Sequence, residues 1–118
     1  MNRPTVAEVL AESLRKAGVE TVFGLPGGEN VEVLEALRRA GIRFVLVRNE
    51  NSAVFMAAAA ARLSGTPGVC LTTLGPGATN AYAGLAHAFQ LGAHLSSADR
   101  SEADADLLLR HREVPSVR

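Results

Sequence analysis

The sequence predicts an α/β fold, in which a small, mostly parallel sheet has helices on both faces. Three short apolar segments with strand composition alternate with four segments in which apolar residues recur at helical spacing. The strand segments are apolar almost throughout, which is typical of strands in a sheet that is covered on both sides. Because the connections are short, each strand-helix-strand unit requires a right-handed crossover and parallel strands.

The first two predicted elements are a helix and a strand near the N-terminus. Thr5 and Glu8 match a capping box, apolar residues then recur at helical spacing, and Gly18 ends the helix. Residues 21–23, Thr-Val-Phe, are β-branched and aromatic and predict strand one. Residues 24–28, Gly-Leu-Pro-Gly-Gly, predict a loop by their composition.

The rest of the predicted fold continues this alternation of helix and strand. We expect helix two at residues 31–39, strand two at 42–47, helix three at 52–63, strand three at 69–74 and helix four at 79–89. After residue 89 the pattern weakens. Residues 96–106 are polar and predict no strand, and residues 107–109 fit a short helix.

Composition and charge exclude several classes of function. The chain has 118 residues and is at most one domain, and its 12 basic and 12 acidic residues give no net charge, so we expect no nucleic acid partner. The apolar stretches are far below the roughly 20 residues that span a bilayer, so we expect no membrane segment. Cys70 is the single cysteine, which excludes an internal disulfide. We therefore expect a cytoplasmic protein.

The strongest indication of function is an acidic residue at the end of an apolar strand. Residues 44–47 run directly into Arg48, Asn49 and Glu50, and the next strand ends in the Gly-Pro-Gly turn at residues 75–77. An acid beside a glycine-rich turn, both at the carboxyl ends of strands, is typical of the ligand crevice of an open α/β sheet. The alternative for Glu50 is a surface or helix-capping role.

Other motifs predict less. The spacing of Gly75 and Gly77 resembles part of a dinucleotide-binding fingerprint, but Asn80 stands where that fingerprint needs its third glycine. None of the three histidines has the spacing to a cysteine or an acid that is typical of a metal site, so we predict no metal ligand.

Three segments, taken together, resemble a known family. VFGLPGG (22–28), RNENSA (48–53) and TLGPGATN (73–80) occur in this order. They are similar to the N-terminal pyrimidine-binding domain of thiamine-diphosphate enzymes of the acetolactate synthase type. We therefore divide the chain into a partial pyrimidine-binding domain at residues 1–89 and a divergent tail at residues 90–118.

The resemblance implies a site and a reaction class. Glu50 matches the family's glutamate, whose carboxyl group hydrogen-bonds the aminopyrimidine ring of thiamine diphosphate and so assists deprotonation of the reactive thiazolium carbon. Pro26, Gly27, Gly75 and Asn80 would line the pyrimidine side of the crevice. The family consists of transferases and lyases that form or cleave a carbon–carbon bond next to the carbonyl of a 2-keto acid.

The resemblance also implies that part of the cofactor site lies elsewhere. The family binds the diphosphate and Mg²⁺ on a separate domain with a Gly-Asp-Gly motif followed by Asn, and no Gly-Asp-Gly occurs in this chain. We therefore expect the chain to hold only the pyrimidine half of thiamine diphosphate, with Mg²⁺ bound through a missing domain or a partner. We expect it to be inactive alone, and to act as a homo-oligomer or with a partner chain that carries the diphosphate-binding domain.

The chain departs from the family at several positions. Asn49 and Asn51 stand where the family often has His and Gln, and alanines at 58–60 replace an Asp-Gly-Tyr stretch, which indicates a separate branch. The family continues after Phe89 with a turn and a fourth strand. We hypothesise that a truncation or frameshift near Gln90 replaced that continuation.

Two other functions stay open from the sequence. The chain could be a separately encoded pyrimidine-domain subunit of a two-chain 2-keto-acid decarboxylase. It could also be a non-catalytic α/β module that binds another protein at its crevice edge.

Overall fold

The computed structural model describes residues 3–90 and 95–98. Helices and strands alternate along this part of the chain in the predicted order. The elements are α1 (Val6–Lys16), β1 (Thr21–Leu25), a short 3-10 helix (Gly28–Asn30), α2 (Val31–Arg39), β2 (Arg43–Leu46), α3 (Glu50–Ser64), β3 (Gly68–Thr72), α4 (Pro76–Gln90) and β4 (Leu95–Ala98).

The strands form one parallel sheet with the order β2-β1-β3-β4. Val22 of β1 lies beside Phe44 of β2, and Phe23 lies beside Cys70 of β3. In each case the next strand in sequence is reached through a helix, as parallel pairing requires. The predicted α/β fold with a parallel sheet is confirmed.

Helices cover the sheet on both faces, because neighbouring strand residues point into two separate cores. On one face, α1 and α2 pack over Val22, Val69 and Leu71. On the other face, α3 and α4 pack over Phe23 and Cys70. The first core is built on large aliphatic side chains, whereas the second consists mainly of alanines on the two helices.

Several element boundaries differ from the prediction for local reasons. β1 continues through Leu25, so the loop predicted to begin at Gly24 starts two residues later. α3 begins at Glu50, because Asn49 adopts an extended backbone and its side chain caps the helix. α4 begins at Pro76, three residues before the predicted start, since proline suits the first turn of a helix.

The prediction of no strand after residue 96 is wrong for residues 96–98. β4 pairs in parallel with β3, with Leu95 beside Gly68 and Ala98 beside Leu71. The sequence Leu-Ser-Ser-Ala has little intrinsic strand preference, but the free edge of β3 supplies backbone hydrogen-bond partners, and strand formation depends strongly on such context. The helix predicted at residues 107–109 lies outside the described residues, and the replaced continuation near Gln90 stays a hypothesis.

None of the helices in the described segments is both long enough and apolar enough to cross a bilayer.

Candidate functional site

The candidate site lies at the carboxyl ends of β1 and β3, which are neighbours in the sheet. After β1 the chain turns towards α2 on one face of the sheet, and after β3 it turns towards α4 on the other face. Two adjacent parallel strands whose connections leave in opposite directions open a crevice between their two turns. The sequence segments 26–30 and 73–77 form these turns.

Glu50 is the acid at this end of the sheet. It is the first residue of α3, and its side chain is buried, with only 6% of the residue exposed. Asn49 holds this helix start, because its side-chain oxygen accepts a hydrogen bond of 2.8 Å from the backbone N–H of Asn51. The Asn80 side-chain amide donates a hydrogen bond of 3.3 Å to Oε2 of Glu50. Glu50 is therefore neither a surface residue nor the cap of its helix.

Gly77 is the residue of the glycine-rich turn that lies against Glu50. A Cβ atom at position 77 would lie 3.5 Å from Oε1 of Glu50 and 2.7 Å from the Thr73 methyl carbon. A larger residue at this position would therefore displace Thr73. Oε2 of Glu50 accepts the hydrogen bond from Asn80, and the carboxylate oxygen that faces Gly77 is Oε1.

Gly75 has a different part in the turn from the one that the sequence indicated. It is exposed, with a φ of +57°, and a Cβ atom there would have no other atom within 4 Å. The glycine serves the left-handed backbone conformation that starts the turn into α4. Gly77, two residues further on, makes the close approach to the acid.

Pro26 and Gly27 lie in the turn after β1, and both are partly buried. A Cβ atom on Gly27 would overlap the Thr73 hydroxyl and would lie 2.7 Å from a carboxylate oxygen of Glu29. The turn after β1 therefore touches the turn after β3, and Gly27 is linked to the Glu50 region through Thr73. Of the residues predicted for the site, a hydrogen bond joins Glu50 and Asn80, while Pro26, Gly27 and Gly75 lie in the two flanking turns.

Glu29 and Asn30 tie the two turns together, and the sequence reasoning missed both of them. The Thr73 hydroxyl and the Leu74 backbone N–H donate to Oε1 of Glu29, the latter over 3.1 Å. The buried side-chain amide of Asn30 donates to the carbonyl of Thr72 over 2.9 Å. The sequence feature that could have drawn attention to them is the presence of polar residues in the short segment between the apolar strand β1 and helix α2.

Hydrogen bonds also stabilise the charged form of Glu29. The pKa of its carboxyl group is lowered from the ordinary value, first by the hydrogen bond from Thr73 and then by backbone N–H groups of Glu29 and Leu74. Glu29 is thus an ionised acceptor at neutral pH. In the described part of the chain it forms no ion pair with a lysine, arginine or histidine, unlike Glu8, Glu12 and Glu35.

Asn51 connects the two helices behind the site. Its side-chain oxygen accepts a hydrogen bond of 2.8 Å from the backbone N–H of Gly84 in α4. A Cβ atom on Gly84 would lie 2.9 Å from Cβ of Val54, so glycine allows α4 to lie close to α3. The two asparagines that depart from the family pattern therefore have structural roles, with Asn49 capping α3 and Asn51 joining α3 to α4.

Two further observations concern polar groups in the residues that the structure covers. Thr72, at the end of β3, is buried, and its hydroxyl oxygen has no hydrogen-bond partner among those residues. The same residues contain no cluster of three or more His, Cys, Asp or Glu side chains that could hold a metal ion.

Comparison with known proteins decides the family. Residues 4–95 match the family model described as "Thiamine pyrophosphate enzyme, N-terminal TPP binding domain". The chain belongs to this family. The resemblance that the three sequence segments indicated is thereby confirmed.

The curated relatives that match are enzymes several times longer than this chain. It is 53% identical over 83 residues to acetolactate synthase 3 of Brassica napus, which covers 70% of this chain and 13% of that protein. It is 46% identical over 90 residues to the acetolactate synthase large subunit of Haemophilus influenzae, covering 75% and 16%. It is 45% identical over 85 residues to the probable 2-ketoarginine decarboxylase AruI of Pseudomonas aeruginosa, covering 72% and 15%. The chain therefore spans about one seventh of the length of these relatives.

Proposed function

We propose that this chain binds the pyrimidine half of thiamine diphosphate for an acetolactate synthase-like enzyme that acts on 2-keto acids. The observation that carries this proposal is the buried Glu50 carboxyl group near the carboxyl ends of β1 and β3, with Oε2 hydrogen-bonded by Asn80 and Oε1 facing Gly77. Membership of the thiamine pyrophosphate enzyme family supports the identity of the cofactor.

The groups at the two turns suit an aminopyrimidine ring in their chemistry. A flat ring needs a hydrogen-bonding edge that backbone can approach closely, and the glycine at position 77 lets the turn after β3 lie against Oε1 of Glu50. The Asn80 amide fixes Oε2, so the carboxyl group has a defined orientation. When bound, thiamine diphosphate supplies a carbanion at its thiazolium carbon, and this is the chemistry that the protein itself lacks.

Glu50 has the role of sharing a proton with the ring nitrogen N1′ through Oε1. A carboxyl group in a water-excluded crevice can do this without competition from solvent, and its hydrogen bond strengthens as positive charge develops on the ring. Asn80 orients the carboxyl group, and Asn49 fixes the helix end from which it projects. Pro26, Gly27 and Gly75 shape the two turns that border the crevice.

We propose that a second polypeptide, or a second copy of a longer form of this chain, completes the site. The diphosphate and Mg²⁺ would be held by the domain with the Gly-Asp-Gly motif, which this sequence does not contain. Mg²⁺ would thus reach the site with the partner, and this chain would be inactive without it.

The outer surface of α3 and α4 supports a partner on that side. Between Glu50 and Gln90 the sequence has one basic residue, Arg62, and one histidine. The two helices also expose five large apolar side chains, namely Phe55, Met56, Leu63, Tyr82 and Phe89. Helices that are apolar on all sides are usually buried, and a covering polypeptide would bury these side chains.

A 2-keto-acid decarboxylase is the second candidate, favoured by the match to a probable 2-ketoarginine decarboxylase. In that case the chain would be the pyrimidine-domain subunit of a two-chain enzyme. For either reaction we propose a cytoplasmic location, where a buried thiol such as Cys70 stays reduced.

The test is calorimetric titration of thiamine diphosphate and Mg²⁺ into the full chain, alone and mixed with a chain that carries Gly-Asp-Gly followed by Asn. The matched variants are Glu50→Gln and Glu32→Gln, because both glutamates lie in the first turn of a helix but Glu32 is exposed. We expect partner-dependent binding and a loss of at least about 100-fold in turnover of pyruvate or 2-ketoarginine for Glu50→Gln alone.

The products separate the two candidate enzymes. A condensation product from pyruvate supports the synthase, and an aldehyde with release of carbon dioxide supports the decarboxylase. Equal turnover in the Glu50→Gln mixture and in the unaltered one would contradict the role of Glu50 in both. Absence of cofactor-dependent turnover with the partner would favour the non-catalytic interaction module.

A further inference from the structure

The carboxylate of Glu29 lies between the two turns that border the crevice. It belongs to the short 3-10 helix after β1, yet Oε1 accepts hydrogen bonds from Thr73 and Leu74 at the end of β3. These donors are 44 and 45 residues away along the chain. Gly27 makes room for the contact, because a Cβ atom there would lie 2.7 Å and 2.9 Å from the two carboxylate oxygens.

The threonine that Glu29 holds is in contact with the turn beside the catalytic acid. The Thr73 hydroxyl points to Glu29, while its methyl carbon would lie 2.7 Å from a Cβ atom on Gly77. On the same side of Gly77, Oε1 of Glu50 would be 3.5 Å from that Cβ atom. A continuous line of contacts therefore runs from Glu29 through Thr73 and Gly77 to Glu50.

Glu29 is well suited to hold Thr73 in one orientation. A threonine hydroxyl can rotate among several acceptors, but an ionised carboxylate is a stronger acceptor than a neutral carbonyl. The second donor, the Leu74 backbone N–H, fixes the same oxygen from the following residue. The neighbouring hydrogen bond from Asn30 to the Thr72 carbonyl is buried and keeps the two strand ends at a fixed separation.

We propose that Glu29 is a positioning residue for the cofactor site. Its carboxylate fixes the rotamer of Thr73, the Thr73 methyl group fixes Gly77, and Gly77 lies against Oε1 of Glu50. The positioning itself is a property of the chain without ligand, whereas its effect on thiamine diphosphate rests on the proposed function.

The first measurement uses nuclear magnetic resonance of the full, ligand-free chain. The reporters are the backbone N–H of Gly77 and the side-chain amide of Asn80, which donates to Glu50. We expect both signals to shift in Glu29→Ala and in Thr73→Val, which removes the hydroxyl but keeps the shape. Glu29→Gln retains an acceptor oxygen and should keep both signals near their original positions, and Glu32→Ala, an exposed glutamate of α2, should not move them.

The two residues should also act as one unit. Because Glu29 is inferred to act through the Thr73 hydroxyl, the Glu29→Ala/Thr73→Val double variant should shift the reporters no further than either single variant. In the presence of the partner chain, both single variants should weaken thiamine diphosphate binding about 10-fold. Thr73→Ser, which keeps the hydroxyl and removes the methyl group, should move Gly77 while leaving the Leu74 amide signal unchanged.

Unshifted Gly77 and Asn80 signals in both Glu29→Ala and Thr73→Val would overturn the positioning role, as would additive shifts in the double variant. If Glu29→Ala does not fold, Thr73→Val decides the matter, because unshifted Gly77 and Asn80 signals in that variant alone overturn the positioning role. Shifted signals in a chain that does not bind thiamine diphosphate with its partner would support the positioning role and refute the proposed function. Loss of thiamine diphosphate binding in Glu50→Gln, with unshifted Gly77 and Asn80 signals in Glu29→Ala, would support the proposed function and refute the positioning role.

Discussion

The two helix layers of this protein are built on different principles. The α1–α2 layer packs leucines and a valine as well as alanines against the sheet, and its outer side carries the pairs Glu12–Arg15 and Glu35–Arg38. The N-terminal turns of the two helices also expose Val6, Val9 and Val31. The α3–α4 layer packs alanines on the sheet and presents large apolar side chains outside. The first layer thus carries charge pairs on its outer side, whereas the second carries its larger apolar side chains there.

The difference shows what each layer contributes. Amphipathic helices with a polar outer face complete a surface by themselves, and α1 and α2 have this form. Alanine and glycine let backbones approach closely, and α3 uses them to lie against β3: a Cβ atom on Gly68 would be 2.8 Å from the carbonyl carbon of Ala57. The layer that carries Glu50 is therefore held by close backbone packing.

The largest expected effect on stability comes from truncating a buried side chain of the α1–α2 layer. Leu37 of α2 is 1% exposed in the first core, and Leu37→Ala should lower the free energy of unfolding by about 3 kcal/mol, because it removes buried apolar volume and leaves a cavity. Leu63→Ala on α3 is the control, since Leu63 is 90% exposed, and it should change stability by less than about 0.5 kcal/mol. Urea denaturation measures the free energy of unfolding of both variants. Similar losses would show that Leu37 contributes no more to stability than the exposed Leu63 does.

The next largest effect on stability comes from enlarging a buried alanine of the α3–α4 layer. Ala57 is fully buried against β3, so Ala57→Val should cost about 2 kcal/mol through overpacking. Ala59→Val, on the exposed side of the same helix, carries only the lower helix propensity of valine, about 0.5 kcal/mol. If thermal unfolding shows equal losses for the two variants, the layer is not closely packed at Ala57.

The smallest effect concerns charge on the outside of the α1–α2 layer. Hydrogen bonds from Arg38 and then Arg39 lower the pKa of Glu35 to about 2 from its ordinary value of 4.5. Because the pKa is lowered in the folded chain, this stabilisation is present above pH 4.5 and disappears as the pH falls through about 2. The pair is solvent-exposed, so the effect on stability is small.

A carbon-detected titration of the Glu35 carboxyl group measures this directly. Arg38→Gln should raise its midpoint towards the ordinary value, and 1 M salt should raise it in the unaltered chain. A midpoint unaffected by either change would show that these charges do not interact.

Much of the fold and the central residues of the site follow from local sequence. Apolar periodicity located the four α-helices of the described residues, although not the short 3-10 helix. The position of Glu50 after an apolar strand led us to expect a ligand crevice, and the connections after β1 and β3 leave the sheet towards opposite faces, as such a crevice requires. Asn80 was named among the residues that line the crevice, and in the structure it hydrogen-bonds Glu50. These features depend on spacing within one segment, or on the general rule for parallel sheets.

What escaped prediction depends on contacts between distant segments. The Glu29–Thr73 contact joins residues 44 positions apart, and nothing in either segment alone indicates it. Composition cannot distinguish a glycine needed for its φ angle, such as Gly75, from one needed for space, such as Gly77. β4 was missed because the edge of β3, not its own composition, makes it a strand.

The hydrogen bond between Asn51 and Gly84 has a mechanical consequence. It anchors the middle of α4 to the residue that directly follows Glu50 in the chain. A shift or rotation of α4 against α3 would therefore move Asn51, and with it the backbone of the adjacent Glu50. A polypeptide that binds the exposed side of α3 and α4 would, through this hydrogen bond, restrict the orientation of the Glu50 side chain.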